Sequence, residues 1–106
     1  MKDNSIKLSL SAEEYISLAK KASSKSIERE MAYYHKAIEV DPNCAEAHIL
    51  LGECFSRIGE LDLSSIEYFK AYMSNPTDEQ LFRINISLGT TALLGAVDWE
   101  VWRGRL

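Results

Sequence analysis

AEAHILLGECFSRIGELDLSSIEYFKAYMSNPTD, residues 45–78, is the stretch that decides how this chain folds. Much of it echoes the sequence 34 residues earlier: Ile27 recurs as Leu61, Tyr34 as Tyr68, Lys36 and Ala37 as Lys70 and Ala71, and Pro42 as Pro76. In the same register Glu46 recurs as Gln80. A 34-residue period is the spacing of a helix–turn–helix unit that cannot bury its apolar face alone and therefore stacks on its neighbours. The expected fold class is all-α, with antiparallel helix–turn–helix repeats.

The helix boundaries follow from caps and breakers. Ser11 with Glu14, Asn43 with Glu46, and Thr77 with Gln80 have capping-box spacing, in which a short polar side chain caps a backbone N–H and the residue three on reaches back. The first helix is predicted from Ala12 to Ala22, with Tyr15, Leu18, Ala19 and Ala22 on one stripe. The serine-rich run 23–26 ends it, because serine competes for backbone hydrogen bonds. The second is predicted from Ile27 to Val40, burying Ile27, Met31, Tyr34 and Ile38, and Pro42 disfavours helical geometry at Asp41.

The third helix, Cys44 to Ile58, carries Ala47, Leu50, Leu51, Cys54, Phe55 and Ile58, a stripe wide enough for contact on two sides. Gly59 stands where a left-handed cap is wanted. The fourth, Leu61 to Ser74, is expected to bury Leu61, Ser65, Tyr68, Ala71 and Tyr72 before Pro76 closes it. The fifth begins near Asp78, uses Leu81, Phe82, Ile84, Leu88 and Ala92, and ends near Gly95. A short capping helix is expected from Asp98 to Arg103.

At 106 residues the chain has room for one modest core, so residues 1–106 are read as a single domain. Apolar residues at 46% and charged residues at 26% match ordinary globular proteins. The net charge of −4 disfavours nucleic acid and anionic membranes, which require a basic surface. No apolar run is long enough to span a bilayer, the N-terminal stretch has no continuous apolar core of a secretory signal, and two cysteines make no disulfide framework. The expectation is a cytoplasmic protein that does not insert into membranes.

Residues 45–78 resemble the tetratricopeptide repeat. That family favours a large residue, Leu, Gly and an aromatic in its first helix, then small, aromatic, small and Pro. Here those positions hold His48, Leu51, Gly52 and Phe55, then Ser64, Tyr68, Ala71 and Pro76. His48 and Ser64 depart, though Ser64 is still small. Gly52 allows close helix approach, and Ala71 allows the next repeat to approach. Residues 11–44 match mainly in their second half, with Glu30 where a small residue is expected, and residues 79–106 match weakly at Phe82 and Trp102. The resemblance implies a short right-handed solenoid: repeat 1 at 11–44, repeat 2 at 45–78, then a partial repeat and cap at 79–106. The alternative is a plain antiparallel bundle resembling the microtubule-interacting-and-trafficking domain, which explains neither Pro76 nor the Gly52 helix.

In this family the first helices line a concave groove. The resemblance therefore implies a partner-binding groove of Tyr15 and Ala19, then Glu46, Ile49, Glu53 and Arg57, then Gln80, Arg83 and Ser87. Ile49 and Tyr15 would form an apolar patch rimmed by charge, suited to an extended or helical peptide, or Ile49 would instead pack against a neighbouring repeat. Some relatives hold a C-terminal carboxylate through Lys, Asn and Arg. The corresponding positions here, Tyr15, Ala19, Leu50, Gln80 and Ile84, supply no charge, which disfavours that clamp.

Cys44 and His48 share an i, i+4 face, but Cys54 falls near the opposite angle and no fourth ligand is evident, so no metal site is expected. No nucleophile signature, phosphate-cradling loop or HExxH motif is present, and no cofactor or enzymatic activity is expected. Lys20, Lys21, Lys25 and Arg29 read as a solvated corner. Trp99 and Trp102, with Arg103, are read as a cover for the end of the fifth helix or as an interface for another chain. The expected function is a non-enzymatic adaptor or assembly subunit that binds a protein or peptide. The alternative is a self-associating subunit, or a piece of a longer array, that assembles through its Trp-bearing end.

Overall fold

The computed structural model describes the backbone of residues 10–93 and the side chains of residues 10–89. Five helices follow one another: α1 (Ala12–Ala22), α2 (Ile27–Val40), α3 (Ala45–Arg57), α4 (Leu61–Tyr72) and α5 (Asp78–Leu93). There is no strand among the described residues, and the fold is all-α. The expected end of the fifth helix at Gly95 and the capping helix with Trp99, Trp102 and Arg103 lie outside the described residues.

Local chemistry explains the starts and stops. Ser11 Oγ accepts from the Glu14 amide at 3.1 Å while Glu14 Oε1 accepts from the Ser11 amide at 2.8 Å, a complete capping box. Thr77 and Gln80 repeat it at 3.2 and 2.9 Å. Ser26 caps α2 through the Arg29 amide. The box expected at Asn43 and Glu46 does not form. The Asn43 amide donates to Asp41 Oδ1, Cys44 becomes the N-cap of α3, and Glu46 turns to α5 instead. Gly59 closes α3 with φ of +82°, where a residue with Cβ would be strained.

Each helix doubles back on its predecessor and packs against it, and α3 also touches α5. Two apolar clusters result. Ala12, Ile16 and Ala19 of α1 meet Tyr34 and Ala37 of α2 and Ala47, Leu50, Leu51 and Cys54 of α3. Ile49 of α3 meets Tyr68 and Ala71 of α4 and Ile84 and Leu88 of α5. The central α3 thus serves both clusters, but the expected stripe serves only the first: Ala47, Leu50, Leu51 and Cys54 pack there, Ile58 is exposed, and the second cluster is reached by Ile49, which lies off that stripe.

Gly52 makes the α3–α4 contact possible. A Cβ there would stand 3.1 Å from Tyr68 Cζ and 3.3 Å from the Ser64 carbonyl oxygen. Ser64 Oγ instead donates to the Gly52 carbonyl at 2.8 Å.

Three expected faces are rotated. On α1, Ile16 is buried and Tyr15 and Leu18 are half-buried, because the small residues Ala12 and Ala19 let the neighbouring helices close over that side. On α4, Ser64, Ser65 and Glu67 are buried with Tyr68 and Ala71, while Tyr72 is 49% exposed. On α5, Ile84 and Leu88 face inward and Phe82 is 66% exposed. No helix among the described residues is long and apolar enough to cross a membrane.

Candidate functional site

The residues expected to line a groove divide into a polar network and buried core. Arg83 of α5 donates through Nη1 to both carboxylate oxygens of Glu46, at 3.0 and 3.1 Å, and through Nη2 to Glu53 at 3.4 Å. Gln80 Nε2 adds a bond to Glu46 at 3.2 Å. These four side chains therefore meet on one face of α3 and α5. The carboxylates raise the Arg83 pKa despite the opposing effect of partial burial. Ser87 meets Tyr68 by a hydrogen bond. Tyr15 sits apart, tilted against Tyr33 of α2 with ring centroids 6.5 Å apart.

Two expected groove residues are not available to a partner. Ala19 and Ile49 have no exposed surface. Ile49 points between α4 and α5, because those helices close over that side of α3. The apolar patch of Ile49 with Tyr15 is consequently absent.

Arg57 also turns away from the α3–α5 face. Its Nη2 donates to Glu30 Oε1 on α2 at 3.0 Å and to Cys54 Sγ at 3.1 Å. Glu30 is buried, and its other oxygen accepts from the Tyr34 hydroxyl at 3.0 Å. A carboxylate can stand at this small-residue position because a cation and a phenol satisfy it. Burial and then the Glu30 bond push the Tyr34 phenol up. Burial also pushes the Cys54 thiol up to about 11 and the Cys44 thiol above its usual range, so neither has the acidity of a reactive cysteine.

The surface that departs most from an ordinary soluble helix belongs to α4. Helical geometry sets Ile66 and Met73 opposite the buried Ser64, Tyr68 and Ala71. Ile66 is 36%, Leu63 42% and Met73 61% exposed. Ser64, Ser65 and Glu67 face inward with Tyr68 and Ala71, while the row of Leu63, Ile66 and Met73, with Lys70 among them, faces out. Beside the row lies a cleft of about 380 Å³ between Ile38 and Pro42 on one side and Phe69, Lys70 and Met73 on the other, also lined by His48.

The sequence marks His48 as a departure from the repeat pattern and weighs it with Cys44 as a metal pair, but does not anticipate its two hydrogen-bond partners. His48 is buried, with Nδ1 2.9 Å from Glu67 Oε1 and Nε2 2.9 Å from the Pro42 carbonyl oxygen. Burial lowers its pKa, but the Glu67 carboxylate and the Pro42 carbonyl outweigh that and the net direction is upward. A signal was present. Antiparallel pairing that sets Ser64 on Gly52 brings the next turn of α4, Glu67, beside the preceding turn of α3, His48. No group of three or more His, Cys, Asp or Glu side chains among the described residues is placed to hold a metal. Set against protein-family models and against curated proteins, the chain finds no match in either.

Proposed function

We propose that this chain is a non-enzymatic protein-interaction module built on tetratricopeptide-like repeats. The repeat reading is supported by α2 and α4 starting at Ile27 and Leu61, 34 residues apart. It is supported again by Gly52 under Tyr68 and by Gln80 bonded to its repeat equivalent Glu46. The right-handed solenoid, its division at 11–44, 45–78 and 79–106, and the adaptor role belong to the same reading.

The observation that carries the binding role is the outward apolar row of α4. Single exposed apolar residues are ordinary, but Leu63, Ile66 and the C-cap residue Met73 line the outward side of α4, whose inner side already buries Tyr68 and Ala71 in the second cluster. A helix apolar on both sides gains stability when a second surface covers it. The proposed partner is another protein offering an apolar side chain row to α4 and the adjoining cleft. The α3–α5 face is the second reading, because Arg83 bridging Glu46 and Glu53 presents both signs of charge to a peptide backbone.

An affinity capture comparing wild type with Ile66→Glu/Met73→Glu and with Arg83→Glu separates the two surfaces. Both variants are expected to retain the helical circular-dichroism spectrum, since these side chains are exposed or partly exposed. Loss of a captured partner only in the α4 variant supports the first surface, and loss only in Arg83→Glu supports the second. Capture unchanged in both refutes both surfaces. A mass in light scattering that doubles with concentration and returns to monomer in the α4 variant would assign the row to self-association instead.

A further inference from the structure

His48 has an acceptor on each side. Glu67 offers a carboxylate oxygen to Nδ1 and Pro42 offers a carbonyl oxygen to Nε2, both at 2.9 Å. A carbonyl oxygen cannot donate, so the Nε2 contact is a hydrogen bond only if Nε2 carries the proton. The same holds at Nδ1 while Glu67 is ionised. A neutral imidazole has one N–H and leaves a lone pair facing an oxygen on the other side. Turning the ring over would set carbon atoms against both acceptors, so the orientation follows from the contacts.

We propose that His48 is held as an imidazolium at neutral pH and latches the α2–α3 turn to α4, releasing that turn as the pH rises. The groups around it are consistent with a cation. From α4 it faces Glu67, itself buried, with Lys70 Nζ 3.6 Å from the other Glu67 oxygen. From the turn come the Pro42 carbonyl and, across the cleft, Asn43, while Asp41 is exposed and bonded to the Asn43 amide. One turn earlier on α3 is the half-buried thiol of Cys44. From α2 the neighbour is the apolar Ile38, and His35, Lys36 and Glu39 are exposed. Among the described residues Glu67 is the one anion in contact, and it is shared with Lys70, whose charge opposes the His48 cation.

Loss of the proton would break one of the two bonds and place two oxygen or nitrogen lone pairs together in a buried site. The bond most readily given up is the one to Pro42, because the Glu67 contact keeps the neutral N–H on a charged acceptor. Pro42 and Asn43 line the cleft beside α4, so release of the turn changes the shape of that cleft. The raised pKa agrees in sign. A histidine that holds its proton more tightly when folded stabilises the fold fully below its unfolded value of about 6.5. That stabilisation fades as the pH rises through the higher folded value.

The test is a pH titration of the full chain labelled with 15N-histidine and 15N-amide, read by NMR between about pH 5.5 and pH 8, below the range where thiols titrate. The expected result is a His48 midpoint above neutral pH, with both ring nitrogens protonated below it. The amides of Asn43, Lys70 and Met73 should move with that same midpoint. Glu67→Gln should lower the midpoint, and His48→Gln should abolish the amide transition. A wild-type midpoint below neutral pH would overturn the proposal, and so would amides that ignore it. The wild-type titration decides the matter even if a variant fails to fold. It is also independent of whether a partner binds α4.

Discussion

Two glycines in helices give opposite predictions. Gly52 lies under the Tyr68 ring, so any Cβ forces α3 and α4 apart by a few tenths of an ångström. Gly52→Leu is expected to cost about 1–3 kcal/mol through overpacking, with a smaller loss for Gly52→Ala. Gly89 on α5 has nothing among the described residues within 4 Å of an added Cβ. Gly89→Ala is expected to gain about 0.5–1 kcal/mol because alanine restricts the unfolded chain and favours helix. Urea denaturation of the two alanine variants reads both signs in one experiment. The close helix approach at Gly52 was expected from the resemblance of residues 45–78 to the tetratricopeptide repeat. The roles of His48 and Glu30 were not. Each looked like a misfit in the repeat pattern, and each proves to be a buried polar group with one partner near in sequence, Pro42 or Tyr34, and one 19 or 27 residues away.

Elements were legible to the degree that their signals are local. The bounds of α1 and α2 match the expected ranges, and α3 and α4 differ by one or two residues at an end. Capping side chains, serine clusters and prolines act within a few residues, so they survive any tertiary arrangement. The inward face of α4 was not legible, because Leu61–Tyr72 carries apolar residues on all sides and its period sets no single direction. Between elements, α2 is tied to α3 by one buried carboxylate. Glu30→Ala removes the acceptor shared by Tyr34 and Arg57. Arg57 is half exposed and returns to water, but Tyr34 is 1% exposed and its hydroxyl loses its partner. The expected loss is about 1–3 kcal/mol, and thermal or urea unfolding monitored by circular dichroism checks it. A Glu30→Gln variant, which still accepts from Tyr34, should lose less.

At the scale of the whole molecule, α3 joins two clusters that otherwise share no helix. Stability should therefore be cooperative across the chain rather than divided between its halves. Ile49→Ala opens the α3–α4–α5 cluster and is expected to cost about 2–5 kcal/mol. Far-ultraviolet circular dichroism and near-ultraviolet tyrosine signals should still fall together, since Tyr15, Tyr33 and Tyr34 report the first cluster and Tyr68 the second. Separate midpoints would show that the two clusters unfold independently. The sequence by itself determined the all-α class and, to within a residue or two, the limits of the first four helices. Those depend on caps, breakers and period, which act over a turn or two. Only the tertiary structure decided that Ile49 is core, that Glu46 and Glu53 share Arg83, that α4 turns its apolar side outward, and that His48 is held between two acceptors. Those outcomes depend on the rotation and register of helices against one another, which short-range sequence signals leave open until packing selects a single arrangement.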